Sequence, residues 1–224
     1  QGVLKARNFE VFQETLKESG IEHLADSFLL ASGKHQAQAY KEDIEAALRT
    51  KDFGGFQLLG LNDFPGQGTA LVGFLDAFWE EKGYITPDEF KQFSGQTVPL
   101  ARLSKMVFTN KEPLVAKVEA AHYGPTELKG VVPTWTVSTI DGQVIESGNL
   151  KKQNIGRGNC ISLGEINASL RNINKPTELK LTVNILDNTN SWDVWVYPTE
   201  KQALKNTVHI TSVLDKETLK VLKK

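Results

Sequence analysis

The chain has 224 residues, with 26 Lys and Arg against 27 Asp and Glu, and 40% of its residues are hydrophobic. This composition is typical of a globular protein of one or two domains, and the formal net charge of −1 excludes the basic footprint of a nucleic-acid-binding protein. The single cysteine, Cys160, excludes an intrachain disulfide, and no apolar run approaches the roughly 18 residues that span a bilayer.

The first unit, residues 1–97, begins with a helical pattern. Apolar residues at helical spacing predict helices around residues 9–16, 24–31 and 37–48, with breaks at Gly20 and at Ser32-Gly33. The glycine-bounded apolar run 53–61 then predicts a short strand buried on both faces. Further on, Thr86-Pro87-Asp88-Glu89 has the spacing of a capping box, which predicts a short helix ending near Phe93.

The second unit, residues 98–198, changes to a period of two. Alternating residues in 114–120, 179–185 and 192–196 predict half-buried strands. Asp141-Gly142 lies between two further strand patterns and predicts a hairpin with a tight primed turn. Strands at this spacing predict an antiparallel, immunoglobulin-like β-sandwich.

We expect residues 199–224 to form a linker and the start of a further domain. Residues 208–212 predict a strand, and Asp215 is placed to cap a helix that carries Leu219 and Leu222. A strand and a two-turn helix cannot bury their own apolar faces, so we expect a truncated domain here. We expect the first unit to be incomplete as well, because a lone buried strand needs neighbouring strands.

The loop after the predicted strand 53–61 is the candidate binding site. Polar groups at the carboxyl end of such a strand face the ligand crevice in barrels and open α/β sheets. Asn62 and Asp63 lie there, and Gln57 and Gln67 add amide groups that both donate and accept hydrogen bonds. The alternative is that Asn62 and Asp63 only shape a turn.

Several aromatic residues offer faces on which sugar rings can stack. Phe64 and Trp79 belong to the same loop region, whereas Trp192 and Trp195 belong to the sandwich. Aromatic residues at these spacings are more often part of a core than of a binding site. Because Trp192 and Trp195 lie on opposite faces of one strand, one of them must point outward.

No metal site or cofactor is expected. The four histidines are scattered without the spacing of a zinc motif. Cys160 has no histidine or charged helix start nearby in sequence, which favours a structural thiol.

Several stretches of the sequence resemble a known enzyme group. The run GGFQLLGLNDFPGQGTALVG (54–73) with residues 75–79 and 82–84 resembles the last barrel strand of bacterial glycoside hydrolases related to family 2, the β-galactosidase and β-mannosidase type. Residues 4–10 and 46–50 fit the helices before that strand, and SWDVWVYP (191–198) resembles the closing strand of the accessory β-domain behind the barrel.

The resemblance implies an α+β multidomain fold, in which residues 1–97 are the C-terminal part of a (β/α)₈ barrel and 98–198 the following sandwich. It also implies a retaining glycosidase that acts with two carboxylates. The family's nucleophile context, His-Glu-x-Gly-Gln, does not occur here. We therefore predict no catalytic residue in this chain, which alone should be inactive, and expect the carboxylates upstream.

Other functions stay open beside this one. The sandwich is alternatively a non-catalytic module that either binds carbohydrate through Trp192 or Trp195 or only braces the barrel. The expected partner is a carbohydrate substrate of the parent enzyme, and an incomplete barrel would expose apolar surface suited to a homodimer. The sequence fixes no location; the resemblance favours a periplasmic or secreted bacterial protein over a cytoplasmic one.

Overall fold

The computed structural model describes residues 7–64, 66, 71–199 and 211–223. Helices α1 (Arg7–Glu18), α2 (Ala25–Leu48) and α3 (Pro87–Ser94) come before the strands, and α4 (Lys216–Leu222) follows them. The protein is therefore α+β with a β-rich centre. In chain order the strands are β1 (Thr97–Leu103), β2 (Val107–Thr109), β3 (Leu114–His122), β4 (Leu128–Val131), β5 (Thr134–Thr139), β6 (Val144–Asn149), β7 (Gln153–Ile155), β8 (Gly158–Ala168), β9 (Thr177–Ile185) and β10 (Asn188–Tyr197).

Two sheets face each other across one hydrophobic core. One has three strands in the order β1-β3-β8, and the other has five in the order β2-β10-β9-β5-β6. The alternation predicted from sequence places the inward residues of both sheets in a single buried cluster, as a β-sandwich requires. The five-stranded sheet is mixed, not purely antiparallel as expected, because the short edge strand β2 runs parallel to β10.

The hairpin between β5 and β6 forms, but its turn is not the predicted one. Of Asp141 and Gly142, only Gly142 has a positive φ, 88°. The Gly142 N–H donates to the Thr139 carbonyl, and the Thr139 N–H donates to the Gln143 carbonyl, each at 2.9 Å. The loop is thus longer than a two-residue primed turn, which leaves Ile140 74% exposed at its tip.

Helix α2 is continuous across the predicted break at Ser32-Gly33. A Cβ atom on Gly33 would lie 2.3 Å from Cδ1 of Tyr84, so the tyrosine ring occupies the space that a side chain would need. Gly33 is therefore a packing residue inside a helix and does not end one. The preceding boundary is as predicted, with Gly20 at a φ of 68° after α1.

The two predicted helix caps are confirmed. The Thr86 side chain accepts from the Glu89 N–H while Glu89 accepts from the Thr86 N–H, and the helix that they open ends at Ser94. Asp215 caps α4 by accepting from the Thr218 N–H at 2.8 Å. The strand predicted at 208–212 falls mostly outside the described residues, and Thr211 and Ser212 belong to no strand.

The buried strand predicted at 53–61 is wrong. These residues are not part of any strand, and Leu59 is 89% exposed. Near them the backbone makes only isolated bridges, such as that between Asn62 and Leu75. A strand needs neighbours to form a ladder, and the described part of the chain supplies none at this place. Within the same described ranges, no helix has the length and apolar character needed to cross a membrane.

Candidate functional site

Asp63 is the best-anchored of the residues predicted to bind a ligand. It is buried, and its Oδ1 accepts from the Gly73 N–H at 2.9 Å and from Nζ of Lys82 at 2.6 Å. A buried carboxylate needs such partners to offset the loss of its hydration. The Asp63 carboxylate is therefore directed inward and ties the 61–64 loop to residues 73 and 82.

The chain segments at Asp63 and Gly73 lie unusually close together. A Cβ on Gly73 would be 2.3 Å from the carbonyl carbon of Asn62, so only glycine fits here. Backbone bonds of 3.0 Å from the Asp63 N–H to the Leu75 carbonyl and from the Leu75 N–H to the Leu61 carbonyl hold this approach.

Helix α2 and Tyr84 support the same loop. The Tyr84 hydroxyl donates to the Gly73 carbonyl at 2.8 Å, and Gln36 donates to the Val72 carbonyl. Burial raises the pKa of Tyr84, and the nearby Asp63 charge raises it further. The phenol is thus kept protonated as a donor.

The other predicted polar residues are not gathered around Asp63. Asn62 is half-buried and donates to the Asp63 carbonyl at 3.2 Å, which is the local bonding of the turn-shaping alternative. Gln57 is exposed on the extended segment, and Gln67 lies outside the described residues. A substrate-binding role for these residues stays a prediction.

The aromatic residues of this region are exposed. Phe64 is 60% exposed and Trp79 is 64% exposed. The turn carrying Trp79 is fixed by Asp76, whose Oδ1 accepts from the N–H groups of Phe78 and Glu80 at 2.8 and 2.9 Å. Together with their exposed neighbours they form what we call the apolar segment: Phe53, Phe56, Leu59, Leu61, Phe64, Val72, Phe78 and Trp79.

A buried carboxylate that sequence reasoning missed joins the helices to the sandwich. Glu45 of α2 is fully buried and pairs with Lys41 and Arg49, one helical turn to either side. From β10, Nδ2 of Asn190 donates to its Oε1 at 2.7 Å and Nε1 of Trp192 donates to its Oε2 at 2.9 Å. The base-acid-base spacing on one helix face was visible in the sequence, but its burial was not.

Lys41 extends this cluster toward the strand. Its Nζ donates to Oδ1 of Asn190 at 2.9 Å and lies 4.8 Å from the ring centroid of Trp192. Burial lowers the pKa of Lys41, and the charge of Glu45 opposes that shift. We call Lys41, Glu45, Arg49, Asn190 and Trp192 the Glu45 cluster.

A second polar joint lies at the C-terminal end of α2. Nδ2 of Asn159 donates to the carbonyls of Leu48 and Thr50 at 2.9 and 2.8 Å. Arg102 and the Cys160 thiol both donate to the Arg49 carbonyl. The sandwich thereby satisfies carbonyls that a helix end leaves open, and the thiol has the structural role favoured by the sequence.

The two tryptophans of β10 lie on opposite faces of the strand, as predicted. Trp192 is buried in the Glu45 cluster, so its ring is not available to a sugar and its assignment as a stacking residue is corrected. Trp195 is 39% exposed on the outer face of the five-stranded sheet. Among the described residues, no group of three or more His, Cys, Asp or Glu side chains is arranged to hold a metal ion.

Residues 112–198 match a family described as a domain of unknown function (DUF8488), a range that runs from the turn before β3 to the end of β10. None of the curated proteins matched the sequence.

Solved structures give distant similarities. Alkylpurine DNA glycosylase AlkC of Pseudomonas fluorescens, bound to DNA containing an abasic site analogue, is 13% identical over 50% of this chain and 33% of its own, with a TM-score of 0.37. The C-terminal domain of Wzt is 11% identical over 53% and 85%, with a TM-score of 0.34. The exo-β-D-glucosaminidase CsxA is 13% identical over 70% and 18%, with a TM-score of 0.47. The chain thus spans a third of the length of the first and less than a fifth of the third, and such values establish no shared function.

Proposed function

We propose that this chain is the C-terminal part of a retaining glycoside hydrolase related to family 2. In this proposal residues 1–97 supply the last helices and the final strand region of a (β/α)₈ barrel, and an immunoglobulin-like sandwich follows. The substrate is an oligo- or polysaccharide, and both catalytic carboxylates belong to an upstream part of the barrel. The sequence resemblance over residues 54–84 and 191–198 motivates the assignment.

The observation that carries the proposal is the exposure of the apolar segment. Its side chains are apolar and aromatic, yet Leu59 and Phe78 are 89% and 82% exposed. A concentration of exposed apolar side chains within residues 53–79 is typical of a region that another protein surface covers. The Asp63–Lys82 ion pair and the close approach at Gly73 hold the loop at Asp63 in a defined shape. Neighbouring barrel strands would cover the apolar segment.

The Glu45 cluster supports a bracing role for the sandwich within that enzyme. It fixes α2 to β10 through charged hydrogen bonds that are shielded from water. In this arrangement the sandwich orients helix α2, and α2 in turn supports the loop at Asp63. A purely structural sandwich is the second candidate function, and the burial of Trp192 favours it over sugar binding at that residue.

The test is hydrolysis of a panel of chromogenic β-glycosides by this chain and by a longer protein that includes the upstream barrel sequence. We expect activity only in the longer protein, because one part of a two-carboxylate site cannot follow the retaining route. Hydrolysis by the 224-residue chain that Asp63→Asn abolishes would overturn the placement of the catalytic groups. A folded longer protein that cleaves none of the glycosides would overturn the enzyme itself.

A further inference from the structure

A cleft lined by both polar and apolar side chains lies at one end of the sandwich. It has a volume of about 580 Å³ and separates the β5–β6 turn from the loop that leads into β9. Asp141 and Gln143 contribute from the turn, and Asn172, Lys175 and Glu178 contribute from the opposite side. This volume falls in the range of small-molecule sites in proteins.

Both walls of the cleft are fixed. In the turn, the Gln143 N–H donates to the Thr139 hydroxyl at 3.1 Å, and that hydroxyl donates to Asp141. In the opposite loop, Ile173 is buried and its carbonyl accepts from Nδ2 of Asn110 at 2.8 Å. The cleft is therefore formed before any ligand arrives, which lowers the entropic cost of binding.

An exposed tryptophan lies beside the cleft. Trp195 of β10 is directly opposite Glu178 of β9 in the antiparallel ladder, so their Cβ atoms are about 5 Å apart on one face of the sheet. The neighbours Val194 and Val196 are fully buried, which places Trp195 on the outer face with Glu178. Trp195 thus lies one strand away from Glu178, a residue of the cleft wall, on the same face of the sheet.

The chemistry of this surface selects one kind of ligand. Carboxylate, amide and ammonium groups bind hydroxyl groups as donors and acceptors, whereas an indole face packs against C–H groups. A pyranose ring has both, with hydroxyls at its edge and C–H groups on its face. Two carboxylates, Asp141 and Glu178, against one ammonium, Lys175, leave the lining with a negative balance that disfavours acidic sugars.

The geometry points to a binding site for an uncharged oligosaccharide, with one sugar ring in the cleft at Asp141 and Asn172 and the next ring stacked on Trp195. The site lies in the sandwich and does not depend on the proposed barrel or on any catalysis. In an enzyme it would hold substrate outside the active site, and in a binding module it would be the functional surface.

Isothermal titration calorimetry of the 224-residue chain tests this site. The probes are cellohexaose, mannohexaose, xylohexaose and chitohexaose, with hexagalacturonic acid as the acidic comparison. We expect saturable binding of at least one uncharged probe and weaker binding of the acid. Trp195→Ala and Asn172→Ala should each weaken binding about tenfold or more, whereas Trp195→Phe should retain most of it.

Phe12→Ala is the matched control, because Phe12 is also an exposed aromatic residue but belongs to helix α1. It should leave the affinity unchanged. Binding of none of the uncharged probes, preference for the acidic one, or equal affinities in Trp195→Ala, Asn172→Ala and the unchanged chain would each overturn the site. Asn172 is an exposed loop residue, so its variant keeps the test valid if Trp195→Ala does not fold.

Discussion

The indole Nε1 of Trp192 donates a hydrogen bond of 2.9 Å to Oε2 of Glu45, a residue 147 positions earlier in the chain. This bond joins helix α2 to the inner side of β10. It also explains how a fully buried carboxylate is tolerated, because Lys41, Arg49 and Asn190 supply the remaining donors.

Glu45→Gln should destabilise the protein by about 3–5 kcal/mol, because it leaves Lys41 and Arg49 near the interior without a counter-charge. Trp192→Phe removes the bond to Glu45 and part of the ring that contacts Lys41, and should cost at least about 1.5–3 kcal/mol. Urea unfolding of both single variants and of the double variant measures these values. The double variant should lose less unfolding free energy than the two single variants lose together, because both changes remove the same contact.

Glu42→Gln is the control for this series, since Glu42 is exposed on the same helix. It should change stability by no more than about 0.5 kcal/mol. Strict additivity of Glu45→Gln and Trp192→Phe would contradict the coupling between the helix and the sandwich.

The stability should depend on pH through Lys41. Its pKa lies below the ordinary lysine value of 10.5, chiefly because of burial, so the unfolded chain holds this proton more tightly than the folded protein does. The free energy of unfolding should therefore rise, relative to that of Lys41→Met, as the pH increases from 7 toward 10.5. Urea titrations at several pH values measure this difference, and parallel curves for the two proteins would contradict it.

Tyr84 contributes with the opposite sign at higher pH. Its pKa is raised above 10.0 by burial and by the charge of Asp63. Its stabilising contribution is therefore complete below pH 10.0 and is lost as the pH rises through the higher folded value. Tyr84→Phe removes this decline and serves to separate it from the effect of Lys41.

Gly33→Ala should destabilise the protein by about 1–3 kcal/mol although alanine is the better helix former. The added methyl would meet the Tyr84 ring at 2.3 to 2.7 Å. Thermal unfolding measures the loss, with Ser32→Ala, an exposed neighbour in the same helix, as the control. In a Tyr84→Ala background the same change should be neutral or stabilising; an equal loss in both backgrounds would rule out the ring contact as the cause.

The sequence predicts features that depend on neighbouring residues better than features that depend on tertiary contacts. The Thr86 and Glu89 capping box and the alternation of Leu114, Ala116 and Val118 depend on near neighbours, and both predictions are confirmed. The sequence predicts a helix break at Gly33, and this prediction is wrong because the packing partner of Gly33, Tyr84, is distant in the sequence. A lone glycine carries no signal of what approaches it.

The same distinction explains the errors at the candidate site. The apolar run 53–61 has the composition of a buried strand, but a strand forms only when others pair with it. Glu45 has the spacing of an exposed helical ion-pair network, and only the positions of Asn190 and Trp192 on β10 reveal its burial. The conformation of residues 53–61 and the burial of Glu45 therefore depend on partners that are distant in the sequence.

The apolar segment should make the chain self-associate at high concentration, by homodimerisation among other forms, since no described residue covers these exposed rings. Sedimentation velocity across a concentration series measures this. Leu59→Ser with Phe78→Ser should shift the distribution toward monomer, whereas Ile140→Ser, which changes an exposed side chain in the β5–β6 turn, should not. A monomer at all concentrations would contradict the expectation.

Hydrogen exchange of residues 54–61, followed by mass spectrometry, tests the central claim most directly. In this chain those amides lack ladder partners and should exchange rapidly. In a longer protein that contains the upstream barrel sequence, the account predicts that they become part of a paired strand and exchange at least about 100-fold more slowly, the factor expected when strand pairing raises the local opening energy by ~2.7 kcal/mol. Equally rapid exchange in both proteins would contradict the proposal that this segment completes a barrel.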